Sequence, residues 1–124
     1  MIKVQQNTPS SLNGLFEQSE IGLFELSDSG TVLYCRTNTD GQLHGASAEA
    51  VGRNFFDEVA PFENAEELRL RLNRFVKSDY ATEKFDFACR IKNRIVPAKI
   101  MLVRVAEQSG GKRSRTTIVD IRKI

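Results

Sequence analysis

The segment from Thr82 to Ile91 alternates between apolar and polar side chains, and this period of two is typical of a β-strand with one buried face. Two further strands are predicted after it, from Ile95 to Ala106 and from Arg115 to Ile121. A turn at Asn93 and the SGGKRS segment (109–114) separate the three strands. Because short connections join neighbouring antiparallel strands, the second half of the chain is expected to form three consecutive strands of one antiparallel sheet.

The first half of the chain predicts a hairpin followed by short helices. Strands are expected from Ile21 to Leu26 and from Thr31 to Cys35, joined by the tight turn Asp28-Ser29-Gly30. Two short helices follow, from Ala48 to Val51 and from Asn54 to Val59. The segment between the hairpin and these helices, TNTDGQLHGAS (37–47), is expected to be a polar loop.

A longer helix is predicted to begin at Asn64 and to continue to Ser78. Glu67 stands three residues after Asn64, as in a capping box. One face of this helix is apolar at helical spacing and consists of Leu68, Leu72, Phe75 and Val76. The order of elements predicts an α+β fold, a five-stranded antiparallel sheet with the helices on one face. Residues 1–20 are expected to form an N-terminal cap segment with a short helix, and residues 21–124 the domain itself.

The strand from Ile95 to Ala106 is apolar on both of its faces. Helices on one face of the sheet would leave the second face exposed, so we expect the N-terminal helix, a partner subunit or both to cover it. The candidate residues for this outer face are Leu12, Phe16, Met101, Val103, Val105 and Ile118.

Composition and charge restrict the classes of function. The chain has 124 residues, 40% of them apolar, with no apolar run long enough to span a bilayer and no secretory signal, so a soluble cytoplasmic protein is expected. Residues 1–62 carry a net charge of −5 and residues 63–124 one of +7. The basic residues form no stripe with stacking aromatics, which argues against nucleic-acid binding. Cys35 and Cys89 make no CxxC or zinc pattern and are expected to be buried free thiols.

Two segments resemble the PAS sensor domains. LFEQSEIGLFELSDSGTVLY (15–34) is similar to their helix, Ser-x-Ile-Gly, strand and Asp-x-Gly hairpin, and LHGASAEAVGRNFFDEVAP (43–61) to their Gly-x-Ser-x-Glu-x-x-Gly-Arg segment. Within that family the second segment is most similar to the photoactive yellow proteins. The resemblance implies a PAS fold and a role in sensing or signalling. Arg36 stands where PAS domains commonly have Asn, so the turn after the second strand is expected to be held differently.

The resemblance also argues against three cofactors. Photoactive yellow protein attaches p-coumaric acid to a cysteine directly after this Ala-Pro, where Phe62 stands here, and Cys35, Thr39 and Gly45 replace three further pigment contacts. Flavin photosensors of the light-oxygen-voltage type place their adduct-forming cysteine after Gly-Arg-Asn, where this chain has Phe55. Haem-binding PAS domains commonly ligate iron through a histidine on the long helix, and the segment 64–78 contains none. The identity of any cofactor stays open.

An enzyme is not expected. Asp57 or Glu58 with His44 could act as an acid–base pair, but both acids also fit the first turn of a capped helix, and His44 fits a surface loop. The sequence contains no nucleophile elbow and no phosphate-binding loop.

The sequence therefore predicts a PAS-type sensory or signalling domain without a covalent pigment. It would bind a small noncovalent ligand or transmit a signal through rearrangement of a dimer. The alternative is a ligand-free interaction module that pairs with itself or with another signalling protein. Candidate residues for a ligand pocket are Leu26, Cys35, Thr39, Leu43, Phe56, Phe62, Phe75 and Phe87.

Overall fold

The computed structural model of the chain describes residues 20–39, 42–44 and 49–124. The N-terminal helix predicted around Leu12 and Phe16 lies outside these residues. In chain order, the described elements are β1 (Glu20–Ser27), β2 (Val32–Thr39), β3 (Gln42–His44), a π-helical turn (Phe55–Val59), α1 (Ala65–Val76), β4 (Thr82–Ile91), β5 (Arg94–Ser109) and β6 (Lys112–Lys123).

All strands belong to one antiparallel sheet in the order β3-β2-β1-β6-β5-β4. The five predicted strands are present with short helical segments between them, which confirms the predicted fold class. The short β3 is an addition at the edge of the sheet, because residues 42–44 of the predicted polar loop pair with the end of β2. In the sequence, Asp40-Gly41 separates the two strands, and this dipeptide is common in two-residue hairpins.

The hairpin between β1 and β2 closes through a turn that requires glycine at its last position. Gly30 donates its amide to the carbonyl of Ser27 at 2.9 Å and has φ +89°, a left-handed conformation that most side chains disfavour. Ser27 in turn donates to the carbonyl of Thr31 at 2.9 Å. This is the hairpin of a type I turn followed by a left-handed residue, as the Asp-x-Gly motif predicts.

The core lies between one face of the sheet and the helical segments. Phe24 of β1 packs edge-on against Phe55 of the π-helical turn, with their ring centroids 4.7 Å apart. The buried residues of α1 are Ala65, Leu68, Leu72 and Phe75, and those of β5 are Ala98, Ile100 and Leu102. The apolar stripe predicted for the long helix is therefore its core face.

Of the two predicted short helices, the first differs from the prediction and the second is present. The predicted helix from Ala48 to Val51 is a turn over residues 49–52, since the described hydrogen bond there is the 3.1 Å bond from Arg53 to Ala50. The second short helix is confirmed, because the side chain of Asn54 accepts hydrogen bonds from the amides of Phe56 and Asp57 at 3.0 and 3.1 Å.

Asn64 begins α1 but does not form the predicted capping box. Its side-chain amide donates to Glu67 at 2.7 Å and to the carbonyl of Ala88 at 2.8 Å, and its side-chain oxygen accepts from the amide of Arg90 at 2.9 Å. The side chain therefore satisfies the edge of β4 instead of an amide of its own helix. This contact fixes the start of α1 against the sheet.

Gly22 lies directly beneath the ring of Phe24. A Cβ atom on Gly22 would lie 2.6 and 2.8 Å from Cε2 and Cζ of that ring, closer than carbon atoms pack. We predict that Gly22→Ala lowers the free energy of unfolding by about 1–3 kcal/mol, because the ring must leave its position on Phe55. Urea denaturation measures this loss.

Phe24→Leu provides the matched background for this substitution. Because Phe24→Leu removes the ring atoms that meet the new Cβ, Gly22→Ala should cost less in that background than in the native chain. An equal loss in the two backgrounds would show that the ring is not the cause.

Cys89 is a buried free thiol, as predicted, and burial raises its pKa from 9.0 to about 11. In the unfolded chain the thiol loses its proton near pH 9, whereas the folded state keeps it up to about pH 11. The free energy of unfolding should therefore fall between these pH values by more in the native chain than in Cys89→Ala. Parallel denaturation curves of the two proteins at pH 8 and pH 10 measure the difference, and identical pH dependence would contradict this prediction.

Candidate functional site

The candidate pocket residues on the core face are side chains that pack against each other. Leu26, Cys35, Phe62 and Phe75 are buried. The remaining two with described side chains, Phe56 and Phe87, are partly buried and pack against the same core. Thr39 and Leu43 belong to β2 and β3, but their side chains lie outside the described part of the chain. That these residues also contact a ligand stays a prediction.

Phe62 follows Pro61 at the end of the π-helical turn and points into the core. It is 5% exposed, and its ring centroid lies 5.5 Å from that of Phe87 on β4. A phenyl ring offers no nucleophile for covalent attachment. The side chain at this position therefore contributes aromatic packing between the helical side and the edge strand.

A cavity of about 290 Å³ lies beside Cys35, between β2 and the segment that leads to the π-helical turn. Its floor is formed by Cys35 and Thr37. Arg53 and Glu58 lie at its rim, about half exposed and 4.0 Å apart, so their pairing is weak. The described residues that line it are Cys35, Thr37, Glu49, Ala50, Arg53, Glu58 and Val59. This cavity brings one predicted pocket residue, Cys35, next to open space.

The outer face of the sheet carries the predicted row of apolar side chains. Val103 of β5 lies opposite Ile118 of β6, and Met101 lies opposite Asp120. Met101, Val103, Val105 and Ile118 are all half-buried. Leu12 and Phe16, which were predicted to share this face, lie outside the described residues. The sheet thus brings four of the six predicted outer-face residues together.

A groove of about 650 Å³ adjoins this row at one end of the sheet. Met101 and Ile124 form its apolar part, and Ile124 is 72% exposed. Lys84 and Lys99 contribute cations from β4 and β5. Among the described residues, the groove is lined by Lys84, Lys99, Met101, Asp120, Arg122, Lys123 and Ile124.

An ionic cluster on the outer face was not predicted from the sequence. The carboxylate of Glu20 is 2% exposed and accepts two hydrogen bonds from Arg36, both at 3.0 Å. Arg122 of β6 approaches the same carboxylate at 3.5 Å and Asp120 at 3.2 Å. A register shift between Glu20 and Gly22 places Glu20 opposite Arg122, on the outer face.

This cluster explains how the chain replaces the asparagine that PAS domains commonly have at Arg36. The hydrogen bonds that the Arg36 guanidinium donates to Glu20 raise the pKa of that guanidinium, with burial acting in the opposite direction. The bidentate ion pair joins β2 to the first residue of β1. Because the contact lies on the outer face, it orders the beginning of β1 from that side. Glu20 and Arg36 are sixteen residues apart, so a local sequence pattern gives no signal of their pairing.

The acids considered for catalysis have structural partners. Asp57 accepts a 2.6 Å hydrogen bond from Arg69 of α1, whose guanidinium also covers the ring of Phe56 at 5.0 Å. Glu58 accepts from the amide of Asn54 at 3.2 Å. His44 belongs to β3 and not to a loop, which corrects the prediction, although its side chain is outside the described part. In the described residues, no three His, Cys, Asp or Glu side chains are placed to hold a metal ion.

Neither the length nor the apolarity of any helix within residues 20–39, 42–44 and 49–124 would let it cross a membrane. No family model matches the chain, and no curated protein matches it.

Solved structures do match the chain over most of its length. The PAS domain of BvgS from Bordetella pertussis has 13% sequence identity and a TM-score of 0.55, covering 95% of this chain and 87% of its own. The PAS domain of an HTR-like protein from Haloarcula marismortui has 23% identity and a TM-score of 0.52, covering 98% and 96%. The photoactive yellow protein domain of the sensor histidine kinase Ppr from Rhodospirillum centenum has 25% identity and a TM-score of 0.55, covering 88% and 96%.

These likenesses agree with the strand order and helical segments described above and confirm the resemblance predicted from the sequence. The chain has the PAS fold, and a photoactive yellow protein domain is among the solved structures that share it.

Proposed function

We propose that this chain is a sensory or signalling domain that works by a shift between two arrangements of its sheet. The solved PAS domains that are similar to this chain support this class of function, and one of them is part of a sensor histidine kinase. The observation that carries the proposal furthest is that β5 faces the core with one row of side chains and presents a second apolar row outward. A change on either side of such a strand alters the packing of the other side.

The outer face is the proposed contact with a partner, and a second copy of the chain is the proposed occupant. Half-buried apolar side chains in neighbouring register positions form a patch of the kind that proteins cover by association. Lys84 lies opposite Met101, and Lys99 lies opposite Arg122, so basic side chains border one end of the patch. In a two-fold pair the same patch contacts itself.

Substitution of the outer face should separate the two copies. Met101→Glu or Val103→Glu places a carboxylate in the proposed contact, so we expect a folded monomer where the native chain is a dimer. Light scattering measures the mass, and circular dichroism shows that the fold is kept.

Leu70→Glu is the matched control for this experiment. Leu70 is an apolar residue of α1 that is 66% exposed and lies away from the outer sheet face, so the same change there should leave the mass of the dimer unaltered. An unchanged mass for Met101→Glu, or an equal loss for Leu70→Glu, contradicts the proposed surface.

A small ligand on the core side is the second candidate function, and the cavity beside Cys35 favours it. The cavity opens between β2 and the helical side, where a bound molecule would contact both layers. Its volume suits a small ligand, since protein ligand sites commonly measure roughly 300–1,000 Å³. Binding there would change how β2 packs against the helical segment, which is the kind of differential contact that shifts a conformational equilibrium.

Phe62 is not among the described residues that line the cavity beside Cys35, so its truncation tests for a ligand elsewhere in the core. If the interior holds a noncovalent ligand, Phe62→Ala should enlarge the space and alter the ligand mass retained in native mass spectrometry. A plain core predicts only a loss of stability of roughly 3–5 kcal/mol. Phe85→Ala is the control, because Phe85 is a partly buried ring of the same strand as Phe87 that packs under the guanidinium of Arg71 at 4.2 Å.

A further inference from the structure

The end of helix α1 lacks the usual local cap. Its C-terminal residue Lys77 has right-handed backbone angles, with φ −85° and ψ −6°. No glycine follows within the connection to β4, which reads Lys77-Ser78-Asp79-Tyr80-Ala81. The last carbonyls of a helix have no partner in the helix itself, and a left-handed glycine commonly satisfies them. Here local donors reach the carbonyls of Asn73 and Phe75, and the carbonyls that follow need a donor from elsewhere in the fold.

Arg104 of β5 supplies that donor. Its Nη2 donates to the carbonyls of Phe75 at 2.7 Å and Ser78 at 2.8 Å, and its Nη1 donates to that of Val76 at 3.3 Å. Its Nε donates to the carbonyl of Tyr80 at 3.1 Å. A single guanidinium thus joins four carbonyls of the last helical turn and the connection to the sheet, a task for which its planar fork of donors is suited.

Two more contacts of Arg104 strengthen this junction. Its backbone amide donates to the carbonyl of Ala81 at 2.9 Å, and its guanidinium lies 4.9 Å from the ring centroid of Phe75. Arg104 follows Ala98, Ile100 and Leu102 in the row of β5 that faces the core, so the charged group stands at the end of a buried apolar row.

The remaining described hydrogen bonds of residues 77–81 are local. Ser78 donates its amide and its hydroxyl to the carbonyl of Phe75 at 3.0 and 2.7 Å, and the amide of Tyr80 donates to the hydroxyl of Ser78 at 3.2 Å. Lys77, Asp79, Tyr80 and Ala81 are exposed, so apolar burial contributes little to holding this segment. A segment with few buried contacts and one concentrated anchor is expected to open locally, before the rest of the fold.

We propose that Arg104 is a latch, and that residues 77–81 release from the sheet as one unit when the guanidinium leaves its carbonyls. The signalling role of this latch rests on the proposed function. The latch deepens that function by naming the element of the domain that moves. The neighbouring residues Val103 and Val105 point to the outer face. A partner on that face therefore contacts the strand one residue from the latch on either side.

Hydrogen exchange measured by mass spectrometry on the isolated protein tests the latch without any ligand or partner. In Arg104→Met, amides of residues 77–82 should exchange roughly tenfold faster or more, as expected for the loss of hydrogen bonds from a charged donor, whereas β1 should keep its protection. Trypsin gives a second readout, because its cleavage after Lys77 under native conditions should accelerate in the same variant.

Two further variants separate the geometry of the latch from its charge. Arg74→Met removes an exposed cation from the last turn of the same helix and should leave exchange in residues 77–82 unchanged. Arg104→Lys keeps the charge but loses the planar fork, so it should also accelerate local exchange, and it tests the claim if Arg104→Met does not fold.

The proposal is overturned if Arg104→Met leaves the exchange of residues 77–82 unchanged. It is equally overturned if protection falls by the same factor in β1 and in this segment, because Arg104 would then stabilise the whole fold and not a local unit. Either result leaves the outer-face proposal standing, since that proposal depends on the mass of Met101→Glu.

Discussion

The structure depends on β5, a strand paired on both sides and apolar on both faces. Its pairing with β4 and β6 holds three long strands in one register, and its core row gives α1 a surface to pack on. Because side chains alternate along a strand, the same backbone that buries Ile100 and Leu102 must present Met101 and Val103 outward. The core and the proposed partner surface are therefore two faces of one strand, and Arg104 joins that strand to the end of the helix.

The core side of the sheet is organised by aromatic rings. Phe62 occupies the position after Ala-Pro and packs on Phe87, and Phe24 packs on Phe55 above Gly22. These contacts join the helical side to both an inner strand and an edge strand. A signal that moves one of these rings must alter the packing of its neighbours, because close-packed interiors leave little free volume. Aromatic packing therefore couples the helical side of the core to β1 and β4.

Much of this fold could be predicted because its signals are local. The alternation from Thr82 onward and the glycine of the Asp-x-Gly turn each depend on residues close in sequence, and both predictions are confirmed. The features that sequence reasoning missed depend on distant partners. Asn64 bonds the edge of β4, and Glu20 is buried on the outer face by arginines of two other strands. The sequence does show one feature of Arg104, because this charged residue continues the alternating row of β5 that is otherwise apolar. Its hydrogen-bond acceptors could not be predicted, since they lie on another element.

Native mass spectrometry of the freshly purified chain tests most directly whether this PAS fold works as a sensory domain. The proposal predicts a particle with the mass of two chains, and a bound ligand would add mass that disappears on denaturation. A single chain without added mass, at concentrations where the fold is intact, would contradict both the proposed self-association and the proposed ligand site.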